Sequence, residues 1–290
     1  MRPQLQSLTI DVDGYNIAAI RQQDPATSDL PRLLCLHGWL DNANSFLPLL
    51  PYLPGFDLVA IDLPGHGHSD ALPQGYHPHE LCYQLTRFVE SLGWSDCHVV
   101  GHSLGACIAP MLAVANPSLV TTMTMIEASG SLSEEADALP ARMSRALSER
   151  LDPTRFTSRV FKSKQEATTS RLKAATMHEL SARLIIDRQL REDADGYRWR
   201  FDPRWRMASA QYQTEAQVRA VLSAVSCKTL TIIAEDGFLT TRECSEDRLN
   251  CLQNRQTTTL PGNHHLHMDT PEPVATAINR FLEVTPALGG

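Results

Sequence analysis

A chain of 290 residues is long enough for one large domain or a domain with an insertion, and an apolar fraction of 42% supplies a sizeable core. The formal net charge of −7 argues against nucleic acid or anionic membrane as the main partner, and no apolar run approaches the length of a membrane span. The seven cysteines are scattered and lack a Cys-x-x-Cys pair. They therefore predict buried thiols in a reducing, cytoplasmic compartment, with neither a disulfide framework nor a zinc site.

The start, Met1-Arg2-Pro3-Gln4, leads into an amphipathic strand rather than a signal peptide. Residues 8–20 alternate on either side of Asp13-Gly14, the pattern of a β-hairpin. Two buried strands follow, 32–36 ending at His37-Gly38 and 57–61 ending at Asp62-Leu63-Pro64-Gly65, with a proline-interrupted helical stretch at 46–53 between them. Helical spacing over 79–92 stops at Gly93. The apolar run 97–100 then meets Gly101-His102-Ser103-Leu104-Gly105, which leads into an apolar helix over 106–115. A further strand, 121–126, ends at Glu127.

The texture changes after Gly130: 133–150, 164–190 and 214–224 have helical spacing and many charges. Parallel-strand character returns at 229–233, followed by a helix over 242–252, a strand over 256–260 and a closing helix over 273–282. Strand–helix alternation predicts an α/β fold, a mainly parallel sheet with helices on both faces. Residues 131–225 are expected to form a helical cap insertion, and 1–130 with 226–290 one discontinuous core domain.

Gly-x-Ser-x-Gly between a strand and a helix is the context of a nucleophile elbow. The turn is sharp, and glycines at 101 and 105 remove the Cβ atoms that would collide as strand and helix close on each other. Ser103 is thus the candidate nucleophile, with the Leu104 N–H aimed at a developing oxyanion. A serine needs a general base. Gly262-Asn263-His264-His265-Leu266-His267 supplies it just after the last strand; His264, directly after the Gly-Asn turn, is the first choice and His265 the alternative. Three histidines in four residues also invite a metal, but no acidic or cysteine ligands accompany them at useful spacing, so no metal and no cofactor is expected. The acid that orients the base is Glu127 or Asp236, each ending a strand. The second oxyanion donor is expected at the Trp39 N–H, in His37-Gly38-Trp39-Leu40, with Gly38 and His102 placed at the substrate. In Tyr197-Arg198-Trp199-Arg200-Phe201-Asp202-Pro203-Arg204-Trp205-Arg206 the alternation turns Trp199 and Phe201 inward and the arginines to solvent, rather than forming a nucleic-acid patch.

His37-Gly38, Asp62-Leu63-Pro64-Gly65-His66-Gly67-His68-Ser69, the elbow, and Gly262-Asn263-His264 followed by Pro271-Glu272-Pro273 occur in an order that resembles the α/β-hydrolase superfamily across nearly the whole chain. Leu36-His37-Gly38-Trp39-Leu40-Asp41-Asn42-Ala43, Ile126-Glu127-Ala128-Ser129-Gly130 and Trp199-Arg200-Phe201-Asp202-Pro203-Arg204 look like its serine-hydrolase-like (Kraken-type), cap-bearing subgroup. The superfamily's usual Gly-x-x-Asp acid pattern reads Ala234-Glu235-Asp236-Gly237 here, with glycine at the acid position. Relatives such as many haloalkane dehalogenases carry the acid after the preceding strand, which matches Glu127 and favours it over Asp236 and Glu235. Those dehalogenases use an aspartate nucleophile, whereas Ser103 implies an acyl-enzyme. The resemblance thus implies a carboxylesterase-like hydrolase acting on a small or medium acyl substrate: an ester, thioester or lactone. An acyltransferase or carbon–carbon bond hydrolase with the same triad, or a non-catalytic ligand receptor, are the alternatives. Oligomeric state stays open.

Overall fold

The computed structural model describes residues 4–23, 30–242 and 244–283. Met1-Arg2-Pro3 therefore lies outside the described residues, while the strand it was expected to enter lies within them. Strands β1 (Gln4–Val12) and β2 (Tyr15–Gln23) pair antiparallel about Asp13-Gly14. Both turn residues have positive φ, 52° and 88°, as a two-residue hairpin matched to strand twist requires. Strands β3 (Arg32–Leu36), β4 (Asp57–Ile61), β5 (Cys97–His102), β6 (Val120–Ile126), β9 (Lys228–Asp236) and β10 (Arg255–Asn263) complete an eight-stranded sheet of order β1-β2-β4-β3-β5-β6-β9-β10. Every pairing from β4 to β10 is parallel.

The strand pleat divides the core in two. Leu34 and Leu36 of β3 and Val59 and Ile61 of β4 point to one face, with α1 (Pro78–Ser91), α2 (Leu104–Ala115) and α6 (Glu215–Ala224). Leu33, Cys35, Leu58 and Ala60 point to the other, with Phe46 and α9 (Pro271–Phe281). Both faces are covered, which is why these strands read as continuous apolar runs rather than alternating ones. Pro78 opens α1, and Gly93 at φ +75° follows its end. Where one helix was expected over 46–53, two short 3₁₀ turns stand at Ala43–Phe46 and Leu50–Tyr52, separated at Pro48, which has no N–H to carry the first turn onward. The helix expected over 242–252 is shorter, α7 (Ser245–Leu249), preceded by a 3₁₀ turn.

Between β6 and β9 the chain leaves the sheet. It forms α3 (Leu139–Leu151), α4 (Lys164–Ala174), α5 (Glu179–Gln189), an antiparallel hairpin β7 (Leu190–Asp193) and β8 (Gly196–Trp199), and α6. The stretch expected to be helical thus also holds a hairpin, and the 164–190 helix is broken at residues 175–178. Trp199 and Phe201 do turn inward: Trp199 packs edge-on to Phe161 with ring centroids 4.8 Å apart and stacks on the buried Phe201. Arg198 and Arg204 are held by Asp193, Asp195 and Asp202. At the two ends of this segment the fully buried Arg248 donates to the Ser131 carbonyl, Ser133 Oγ and Glu215, whose carboxyl the arginine draws down to about 2.

Candidate active site

Ser103 stands where β5 becomes α2, with φ 49° and ψ −109°. A non-glycine residue holds this conformation only when its surroundings over-determine it. They do. The Ser103 N–H donates to the Ile126 carbonyl at 2.9 Å, the Gly105 N–H to the His37 carbonyl at 3.1 Å, and the Cys107 N–H to the Ser103 carbonyl at 2.9 Å. A Cβ on Gly105 would stand 2.0 Å from the Leu36 carbonyl oxygen, and one on Gly101 2.5 Å from the Ala106 nitrogen. The elbow is therefore wedged between β6 and the β3 loop, and only glycine fits its two flanks.

Two buried histidines brace the β3 loop. Nε2 of His37 accepts from the Leu63 N–H at 2.9 Å, so its Nδ1 carries the proton that donates to the Gly38 carbonyl at 2.7 Å. Nε2 of His66 accepts from the Leu40 N–H at 3.2 Å, where Leu40 has φ 58°. Burial keeps both imidazoles neutral by pushing their pKa down, His66 most strongly. The Trp39 and Leu104 N–H groups donate to no protein acceptor among the described residues. The Trp39 side chain is half exposed and donates to the Trp205 carbonyl.

His264 and Glu127 meet. His264 Nδ1 lies 3.2 Å from Glu127 Oε2. The carboxylate, 1% exposed, also accepts the Ala234 N–H at 2.8 Å and the Phe238 N–H at 2.6 Å. Glu127 itself sits at φ 55°, its backbone turned as β6 ends. Asp236 and Glu235 are exposed, and neither bonds a histidine among the described residues. Glycine at the usual acid position has a direct reason: a Cβ on Gly237 would lie 2.4 Å from Glu127 Oε2. His265 is otherwise engaged. Its Nδ1 donates to the Thr176 carbonyl at 3.2 Å, so its Nε2 is the acceptor facing Arg171 Nη2 at 3.5 Å.

His102 needs correction. It is fully buried, so it does not reach substrate; its Nε2 donates to the His264 carbonyl at 2.8 Å and its ring packs on His267, centroids 4.0 Å apart. It supports the loop that carries His264. Gly38 is buried too, and a Cβ there would lie 2.9 Å from both Asp41 Oδ2 and His102 Nδ1, so its glycine serves this packing. Sequence reasoning missed Asp41 and Arg171. Asp41, 1% exposed, pairs with Arg171 Nη2 at 2.5 Å. Burial alone would raise the Asp41 carboxyl, but Arg171 and the surrounding histidines hold it below the usual range. Asp41 was visible only as part of a family motif, and Arg171 lies 130 positions away on a charged helix. Among the described residues no group of three or more His, Cys, Asp or Glu is arranged to hold a metal.

A cavity of about 550 Å³ borders His264, lined also by Ala174, Thr176, Asp236, Phe238 and Asn263. A half-buried serine on a strained strand–helix turn, one unpaired N–H on the β3 loop and another at the elbow, and a histidine–carboxylate pair at the carboxyl ends of parallel strands define the hydrolase class of α/β proteins. Comparison with known proteins agrees. A family model described as alpha/beta hydrolase fold matches residues 31–269, and the chain belongs to that family. Within it, the chain groups with serine hydrolase-like proteins: it is 31% identical to one from Danio rerio over 87% of this chain and 81% of that one. It is 30% identical to serine hydrolase-like protein 2 of Homo sapiens, over 89% and 88%. A crystal structure of a hypothetical protein from Pseudomonas aeruginosa PAO1 superposes with TM-score 0.88 at 31% identity, covering 95% of this chain and 97% of that one. The thioesterase domain from the curacin biosynthetic pathway shares the fold, with TM-score 0.80 at 22% identity over 95% and 99%.

Proposed function

We propose that this chain is a serine hydrolase that cleaves a small or medium carboxylic ester, thioester or lactone through an acyl-enzyme on Ser103. The Glu127–His264 pair beside the elbow carries the reading. With Nδ1 donating to Glu127, His264 presents its lone pair at Nε2. Ser103 Oγ attacks the acyl carbon as Nε2 takes its proton, and the Leu104 and Trp39 N–H groups receive the oxyanion. His264 then protonates the leaving oxygen or sulfur, and afterwards draws a proton from the water that releases the acid. Residues 131–225 act as the lid of this site, and the seven free thiols suit a reducing, cytoplasmic setting.

Intact-mass spectrometry after exposure to a fluorophosphonate tests the reading. A single adduct on the wild type, absent from Ser103→Ala and His264→Ala, is expected, followed by turnover within a panel of esters, thioesters and lactones. A folded wild type that takes no adduct overturns it in favour of a ligand-binding protein on this fold.

A further inference from the structure

Arg171 belongs to α4, in the segment between β6 and β9, yet its guanidinium lies among residues of the sheet's catalytic edge. Nη2 donates to Asp41 Oδ1 at 2.5 Å and faces His265 Nε2 at 3.5 Å. Asp41 is the last residue of the turn that begins at Gly38, closed by the Asp41 N–H to Gly38 carbonyl bond at 3.1 Å, so it fixes the backbone on either side of Trp39. His265 is the neighbour of His264. The same α4–α5 turn holds the other side of His265 through the Thr176 carbonyl. One cation thus joins the loop offering an oxyanion donor to the loop offering the base. Asp41 and His265 are almost completely buried, which makes the junction stiff and leaves an uncompensated charge if it is broken.

From this geometry we infer that Arg171 is a positioning residue: it clamps Asp41 and His265 so that the Trp39 N–H and His264 hold their places about Ser103, making the inserted segment part of the catalytic assembly as well as a covering. The inference rests on the serine-hydrolase reading above and deepens it. Arg171 touches no reacting atom. Its effect is on the placing of two groups that do, where a displacement of about 1 Å is enough to slow chemistry ~100-fold.

The clamp has a second signature, in proton occupancy. His265 is faced by Arg171 from α4, the Thr176 carbonyl from the α4–α5 turn, Asp41 from the β3 loop, His102 from β5, and His264 and His267 from its own loop. Burial holds it neutral, Asp41 favours its protonation and Arg171 opposes it. Without Arg171, Asp41 should draw a proton onto His265 at higher pH.

The experiment measures the rate of fluorophosphonate labelling against pH, together with the imidazole NMR titration of His265, in the wild type, Arg171→Met, Arg171→Lys and the Asp41→Asn/Arg171→Met double variant. We expect Arg171→Met to label ~10- to 100-fold more slowly at neutral pH, with a new acid limb and an upward-shifted His265 titration. Arg171→Lys should recover most of the rate. The double variant, with no stranded charge, should regain thermal stability but not the labelling rate, and it carries the test if Arg171→Met does not fold. Wild-type rates in folded Arg171→Met, or full recovery in the double variant, overturn the inference. A wild type that takes no label overturns the hydrolase reading instead, and the His265 titration still reports on the clamp: an unchanged titration in Arg171→Met refutes it.

Discussion

Glu127 and Gly237 form a matched pair: the carboxylate occupies the space that any side chain at 237 would fill. Three predictions belong at this scale. Glu127→Gln should lower kcat/KM by ~10³- to 10⁴-fold, as loss of the orienting acid does in serine triads, while Asp236→Asn should change it by less than ~3-fold. Steady-state kinetics on the best substrate checks both, and the reverse ranking would reassign the acid. Gly237→Ala should displace the carboxylate and slow turnover by ~10-fold or more, which the same assay reads. Much of the candidate site was legible at single residues. Ser103 and His264 stand in short contiguous motifs whose geometry is local, and the glycine at 237 already pointed to an acid elsewhere. Asp41, Arg171 and the true place of His102 were not legible, because each depends on a partner far away in the chain. Only folding brings Arg171 to Asp41, and only burial shows that His102 faces the histidine loop.

Elements were legible where their covering is symmetric. β3 and β4 are buried on both faces, so apolar runs closed by His37-Gly38 and Asp62 delimited them to the residue. The β7–β8 hairpin escaped because β7 follows α5 without a break and three of its four residues are exposed, leaving neither a turn signal nor an alternating face between helix and strand. The break at residues 175–178 carries neither glycine nor proline; it is set by the Thr176 carbonyl and the His178 N–H, which bond His265 and Asp269. The junction of β5 and α2 yields a stability prediction. Gly105→Ala drives a methyl group into the Leu36 carbonyl and should cost about 3 kcal/mol, a value at the upper end for overpacking, since backbone rather than a flexible side chain must move. Urea denaturation measures it, and a cost below about 1 kcal/mol would show that the elbow relaxes.

Across the whole molecule the five buried histidines, His37, His66, His102, His265 and His267, are all held neutral by burial, His267 down to about 3. In the unfolded chain each regains a value of about 6.5. Below that pH the unfolded state binds more protons than the folded one, so the stability these residues confer is complete above about 6.5 and is lost as pH falls toward their folded values. Each adds a slope of up to ~1.4 kcal/mol per pH unit in that window. Urea midpoints should be level between pH 8 and 7 and fall steeply from pH 6 to 5; a flat profile to pH 5 would mean the cluster protonates in place. The segment between β6 and β9 is tied to the sheet by two buried ion pairs, Arg171 with Asp41 and Arg188 with Asp62, and by Asn42, Asn44 and Gln189. Because β6 and β9 lie side by side, the segment leaves and rejoins the sheet at adjacent strands, an arrangement that invites exchange with the corresponding segment of another protein of this fold. Such a graft would leave Asp41, Asp62 and Arg248 as bare charges inside the protein. A transplanted segment must therefore bring two arginines and a carboxylate of its own or travel with replacements at Asp41, Asp62 and Arg248, so it fits its core as a key fits one lock rather than as an interchangeable module.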